Sequence, residues 1–233
     1  MPELFNGDFV VGLLLVLFTN LILSGDNALV IAMAARTLEG AQRRQAIVWG
    51  AIGAVALRLV FAAVVTYLLT VPFLQLAGGL LLVWIAWKLI NEEEDEGDKV
   101  EAGTSAWEAI RIIVVADAVM SLDNVVALVQ AARIGGEVNF WLLAIGLVTT
   151  VPLVIFGAAL LTSLLDRFPV LVYVGAGLLV YLAVEMLFGD VFIHEYLEPY
   201  ESLELLVALN AAVVFLAAAW LWTRRKAKLT KKM

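Results

Sequence analysis

The sequence predicts an all-α polytopic membrane protein. It has seven transmembrane helices, arranged as two inverted three-helix repeats plus a C-terminal helix, with the N-terminus out and the C-terminus in. Three observations carry this. Of the 233 residues, 63% are hydrophobic, and the mean hydropathy is +0.97. A soluble domain cannot bury that much apolar surface, so lipid must be the solvent, and only helices or a closed barrel then satisfy the backbone. The apolar stretches run to about 20 residues, the length of a helical span and about twice that of a barrel strand. Finally, the chain resembles itself at an offset of 97 residues.

The elements follow in order. The opening MPELFNGDFVVGLLL has no basic n-region and no cleavage site, so it reads as the start of a retained helix. Apolar segments then cover residues 9–34, 46–70, 72–90, 107–133, 139–165, 169–188 and 203–223. Val71-Pro72 and Phe168-Pro169 mark tight turns, because the residue before a proline avoids the helical region. The longest loop, 91–106, contains EEEDEGDK, a composition that stays solvated or loosely collects cations. The expected organisation is a first repeat at 1–90, an acidic cytoplasmic linker at 91–106 and a second repeat at 107–188. Residues 189–233 form an outer loop, the seventh helix and a basic cytoplasmic tail.

Orientation comes from Lys and Arg. Arg224, Arg225, Lys226, Lys228, Lys231 and Lys232 place the C-terminus in the cytoplasm. Seven crossings then put the loop with Arg36, Arg43 and Arg44 inside. The 190–202 loop, which has no Lys or Arg, falls outside, and Arg133 is the one basic residue of the outer loops.

In the repeat, FTNLILSGDNALVIAMAAR at 18–36 falls on VADAVMSLDNVVALVQAAR at 115–133, with six of nineteen positions identical. Ser24/Ser121, Asp26/Asp123 and Asn27/Asn124 are among them. Residues 72–90 fall on 169–187 with seven identities, including Pro72/Pro169 and Gly78/Gly175, whereas the middle segments barely match. Three helices per unit reverse direction, which gives an inverted repeat with its site near the midplane. The seventh helix lies outside the repeat and serves packing or homo-oligomer formation.

Composition also excludes chemistry. Without cysteine there is no disulfide, thiolate metal site or thiol nucleophile, and His194 alone cannot build a histidine zinc site. A net charge of −7 argues against nucleic acid. No enzyme and no cofactor are expected. An intramembrane aspartyl protease is disfavoured because Asp26 lacks the GxGD pattern and no Tyr precedes Asp117, and a retinal protein because the seventh helix has no Lys.

What remains is an intramembrane acidic constellation. A charged side chain in the bilayer costs a few kcal/mol or more, so it needs a partner or a purpose. Asp26, Asp117 and Asp123 are the costly ones, with Asn20, Asn27 and Asn124 beside them. Asn20, Ser24 and Asn27 form one helical stripe, and Asp117, Ser121 and Asn124 its repeat mate. Counting along straight antiparallel helices places Asp26 level with Asp117, and Asn20 level with Asp123 nearer the outside. Oxygen ligands alone suit a hard divalent cation such as Mn²⁺, Mg²⁺ or Ca²⁺. Met33 and Met120 could add thioethers or simply pack. Gly25 could loosen the first helix and free carbonyls, or allow close packing. Arg58, central in the second segment, is expected as counter-charge to Asp26 or Asp117. Lys88 and Glu185 are repeat mates near opposite faces and should not pair; Lys88 is expected to snorkel. Glu185, Asp190, His194, Glu195 and Glu198 either line an acidic outer mouth or form plain solvated surface.

The motifs NLILSGDNALVIAM and VADAVMSLDNVVALVQAA resemble the signature helices of the TerC-like integral membrane proteins, and the resemblance covers nearly the whole chain. The short form, without a soluble domain, is similar to the branch assigned to manganese export. The resemblance implies a multi-pass protein of the cell membrane that exports Mn²⁺, with Asp26, Asp117 and Asp123 as ligands. Mn²⁺ is then the transported ion, exchanged for protons through the aspartates. The competing expectation is an exporter of a cationic amino acid or other small molecule.

Overall fold

The computed structural model describes residues 7–68, 71–91, 106–134 and 137–230. The helices among these are α1 (Gly7–Ile22), α2 (Gly25–Ala35), α3 (Gly40–Leu68), α4 (Leu74–Asn91), α5 (Ala106–Ala131), α6 (Phe140–Arg167), α7 (Val170–Gly189), α8 (Val191–Leu197) and α9 (Glu204–Thr230). A 3-10 turn, Glu198–Leu203, joins α8 to α9. Two-residue strands β1 (Arg133–Ile134) and β2 (Glu137–Val138) pair antiparallel between α5 and α6. Most of the acidic linker expected at 91–106 lies outside the described residues, as do Lys231 and Lys232.

The chain is an all-α, multi-pass membrane protein. Among the described residues, five stretches are long and apolar enough to cross a bilayer: α3, α4, α6, α7 and the run from α8 through α9. Two more are bent pairs, so the total reaches seven when each bent pair is one span. Both bends fall in the repeated S-x-D-N motif. The first helix breaks between α1 and α2 with a bend of 46°, and α5 bends by 61° between Leu122 and Asn124. Serine competes with the backbone for its own hydrogen bonds and glycine is a weak helix former, so Ser24-Gly25 ends α1. A Cβ on Gly25 would meet nothing within 4 Å, so this glycine serves the break and not close packing.

Packing follows the repeat. In that scheme α1 with α2 corresponds to α5, α3 to α6, and α4 to α7. The closest pairs are α3 on α5, its counterpart α6 on α1 and α2, and α4 on α7, while α9 packs on α7. Gly50 of α3 lets Ile113 of α5 approach; an added Cβ would sit 2.7 Å from the isoleucine Cδ1. Gly146 of α6 does the same for Val16 of α1. Val16 and Ile113 are mates at the 97-residue offset, and Gly146 lies one residue short of the mate of Gly50. Small residues that admit a neighbouring helix are a recurring device of membrane interfaces, where no hydrophobic force separates lipid from protein. This correspondence is hidden in the sequence because the two middle helices share a packing pattern and almost no identities.

Several ends differ from the expectation. α3 begins at Gly40, six residues before its apolar segment, and α9 continues past Trp222 to Thr230. Hydropathy marks the hydrocarbon depth, whereas a helix runs on through the polar headgroup layer. The outer loop expected at 189–202 is α8 followed by the 3-10 turn. At one end of the bundle Arg224 lies 3.6 Å from the centre of the Trp220 ring and Arg111 5.1 Å from that of Trp107, the aromatic and basic anchoring of a membrane interface.

Asp190 corrects the sequence reading. It is 1% exposed, so it is neither mouth nor solvated surface. Its Oδ1 accepts from Phe192 N at 3.1 Å and Phe73 N at 3.2 Å, and its Oδ2 from Leu76 N at 3.2 Å. One carboxylate thus caps α8 and the start of α4 together. Phe73 takes a φ of 61°, a conformation aromatic residues rarely adopt, and its ring packs on Phe192 with centroids 4.5 Å apart. Lys88 pairs with Glu108 and lies 5.6 Å from the Trp84 ring centre, while Glu185 accepts from Tyr181 Oη at 2.9 Å. The two repeat mates therefore have separate partners, as their positions near opposite faces demand.

Candidate functional site

The site forms where α1, α3, α5 and α6 meet. Arg58 of α3 is 3% exposed and stands at its centre. Nη2 donates to Asp117 Oδ1 at 2.5 Å, Nε to Ser121 Oγ at 3.0 Å and Nη1 to Asn20 Oδ1 at 3.2 Å. Asp117 and Ser121 share one face of α5 at i and i+4, and Ser121 Oγ in turn donates to Asp117 Oδ2 at 3.0 Å. The same bond recurs in the first half, where Ser24 Oγ reaches Asn20 Oδ1 at 3.2 Å and also the Asn20 carbonyl. Asn20 completes its shell by donating from Nδ2 to Thr150 Oγ1 at 2.8 Å. Thr150 Oγ1 in turn donates to the Leu147 carbonyl at 2.8 Å. Every polar group of this knot has a partner, as a dry interior requires.

Asn20 and Asp117 occupy equivalent repeat positions, and a single guanidinium bridges them. The expected division into an Asp26–Asp117 level and an Asn20–Asp123 level therefore does not hold for Asn20. The depth count assumed straight helices with a rise of about 1.5 Å per residue. Breaks at both motifs shift the levels, and two-fold related positions near the axis come together whatever the count along each helix.

A second cluster lies at the breaks. Asp26 is in the first turn of α2, where its charge complements the helix dipole, and its Oδ1 accepts from Asn27 N at 2.8 Å. Asp26 is within Coulombic range of both Arg58 and Asp117. The Leu23 carbonyl, left without a regular helical partner by the break, receives Asn27 Nδ2 at 2.8 Å and Asn124 Nδ2 at 3.5 Å. The repeat-related asparagines thus meet at one carbonyl. Asn27 Oδ1 is different. The residue is 3% exposed, and this oxygen has no hydrogen-bond donor among the described residues. A buried amide oxygen left bare costs about 1–3 kcal/mol.

Asp123 lies at the α5 bend, and its side chain is outside the described residues. Among the described residues no three of Asp, Glu and His gather closely enough to hold a metal. The described donors are instead two carboxylates, Asp26 and Asp117, set among amides and hydroxyls. A small cleft lined by Leu68, Val71, Leu74, Gln75, Leu122 and Val191 reaches α5 one residue before Asp123. Met33 is buried against Gly175, and Met120 is also buried, so both serve the core. Thr150 is the site residue that the sequence reading missed. It has no polar counterpart at the repeat offset, and its one signal is a polar pair, Thr149-Thr150, just before Pro152 in an apolar helix.

The sequence model of the Integral membrane protein TerC family matches residues 5–228. YjbE, an uncharacterized membrane protein of Bacillus subtilis, is 42% identical over 214 residues, which cover 91% of this chain and 96% of that protein. YceF of the same organism, also an uncharacterized membrane protein, is 26% identical over 64% of this chain and 59% of its own length. The UPF0053 protein YegH of Escherichia coli is 26% identical over 88% of this chain, which spans 42% of that longer protein. No solved structure matches significantly.

Proposed function

The chain belongs to the Integral membrane protein TerC family, and from that premise we propose that it is a secondary transporter that exports a divalent metal cation, Mn²⁺ in the first place. The transported ion binds near the midplane, between the broken helices. Asp26, Asp117 and Asp123 supply charge, and Asn20, Asn27 and Asn124 supply neutral oxygens. Arg58 is the counter-charge. The C-terminus is cytoplasmic.

The observation that carries this reading is the bare, buried Asn27 Oδ1 beside Asp26, at a helix break that recurs in the second repeat. An oxygen that accepts nothing from the described residues can be satisfied by a cation, and broken helices at repeat interfaces are where transporters place their ions. Carboxylate and amide oxygens without sulfur or imidazole favour a hard cation. Protons are one return charge that such carboxylates can carry.

The reading is tested by cellular manganese. Cells producing the wild-type chain should hold less manganese under metal load than cells with empty vector, and Asp26→Ala should abolish the difference. Equal content in all three would sink the proposal. Saturable arginine or lysine binding by purified protein that has no Mn²⁺ affinity would favour the amino-acid exporter instead.

A further inference from the structure

We propose that Arg58 is a tethered substitute for the transported cation, which lets the transporter reset without carrying a proton or a second metal ion back. The inference rests on the reading of the chain as a cation exporter and specifies how that site is reset.

The first support is electrical. Arg58 is buried at the centre of a spanning helix, and a guanidinium keeps its charge in any protein environment. Among the described residues its one anionic hydrogen-bond partner is Asp117, bonded at 2.5 Å. The pair is neutral, so Asp117 can move through the low-dielectric interior without a bound ion. A lone carboxylate would face the full cost of charge in hydrocarbon.

The second support is geometric. The guanidinium is flanked by two neutral acceptors, Asn20 Oδ1 and Ser121 Oγ, at 3.2 and 3.0 Å. When a divalent cation takes Asp117 and Asn20 Oδ1, Arg58 can give up Nη2 and Nη1 and keep Nε bonded to Ser121 Oγ. It is displaced without being orphaned, so exchange between metal and arginine has no large penalty on either side. A structural ion pair would not need that second seat.

The third support is the broken symmetry. The repeat mate of Asp117 is the neutral Asn20, and the repeat mate of Arg58 is Ile155. A single counter-charge is thus provided at the Asn20/Asp117 position, in a molecule whose two halves otherwise share a plan. In this scheme the arginine takes the part that protons held in the sequence-based expectation.

The test uses the full chain in proteoliposomes loaded with Mn²⁺, with the membrane potential clamped to zero. Efflux is measured into metal-free buffer (net efflux) and into Mn²⁺-containing buffer (exchange). Wild type should perform both, and its net efflux should not change as external pH is varied across neutrality. Arg58→Gln should lower net efflux by at least about tenfold more than it lowers exchange, and Arg58→Lys, which keeps a tethered cation, should recover most of that difference. Net efflux by Arg58→Gln equal to wild type would overturn the inference. So would wild-type net efflux that depends on external acidity or requires external metal, an outcome that needs no variant to fold. Wild type that moves no Mn²⁺ in either mode would overturn the exporter reading and this inference with it.

Discussion

The two halves of the molecule share a plan and differ where charge is concerned. Both bend at the S-x-D-N motif, both set a serine four residues after a polar partner, and both send an asparagine to the Leu23 carbonyl. The first half breaks its helix outright at Gly25, whereas the second, with Leu122 in that place, keeps its helical bonds and bends further. The first half contributes neutral Asn20 and cationic Arg58, the second anionic Asp117 and apolar Ile155. A perfectly symmetric site would hold two carboxylates or none at this position. Among the described residues the asymmetric one holds a single ion pair across the repeat axis, a charge arrangement that one competing cation can open.

The comparison can be broken most severely at Asp117. Asp117→Ala leaves Arg58 buried without its anion, and removing one member of such a pair costs about 3–5 kcal/mol. Transport should be lost and the unfolding temperature in detergent should fall. A variant as stable as wild type would mean that Arg58 has another anion.

A milder change sharpens the comparison by moving the charge. Arg58 reaches both halves, so Asn20→Asp combined with Asp117→Asn should place the carboxylate on Nη1 instead of Nη2. Asp117→Asn alone is expected to transport Mn²⁺ more than about tenfold more slowly than wild type, and the double variant to regain most of that loss, a coupling that independent sites would not show. Additive losses in a transport assay would argue that the halves are not interchangeable around Arg58.

The smallest effect on transport is expected at Asp190, the buried acid away from the repeat axis. Asp190→Ala strips the acceptor from three backbone N–H groups and should cost about 2–4 kcal/mol of stability. Transport per folded molecule should stay near wild type, as scored by transport normalised to monodisperse protein. A selective loss of transport would draw the α4–α8 corner into the mechanism.

The linear sequence was a good guide to whatever depends on solvent and on local pattern. The apolar segments, the Pro72 and Pro169 turns and the repeated motif all come from hydropathy, proline stereochemistry and self-comparison. The pairing of Arg58 was legible as one of two choices, because a central arginine in lipid must find a carboxylate. Asp190 was misread because an acid next to a glycine at a helix end looks like surface, and nothing local says that the backbone of α4, more than a hundred residues earlier, will need its oxygens. Thr150 was missed because its role exists only through Asn20 on another helix.

The sequence by itself therefore determined that this protein is helical and membrane-embedded and that it carries the S-x-D-N motif twice. The first two properties follow from the free energy of each segment in lipid, which a segment carries wherever it packs. Only the tertiary structure decided that Arg58 chooses Asp117, that Asn20 joins it, and that Asn27 keeps an oxygen bare. Such choices are set by helix bends and by glycine-mediated approach at the Gly50–Ile113 and Gly146–Val16 contacts. Shifts of a few ångströms there decide which polar groups lie within the roughly 3 Å reach of a hydrogen bond.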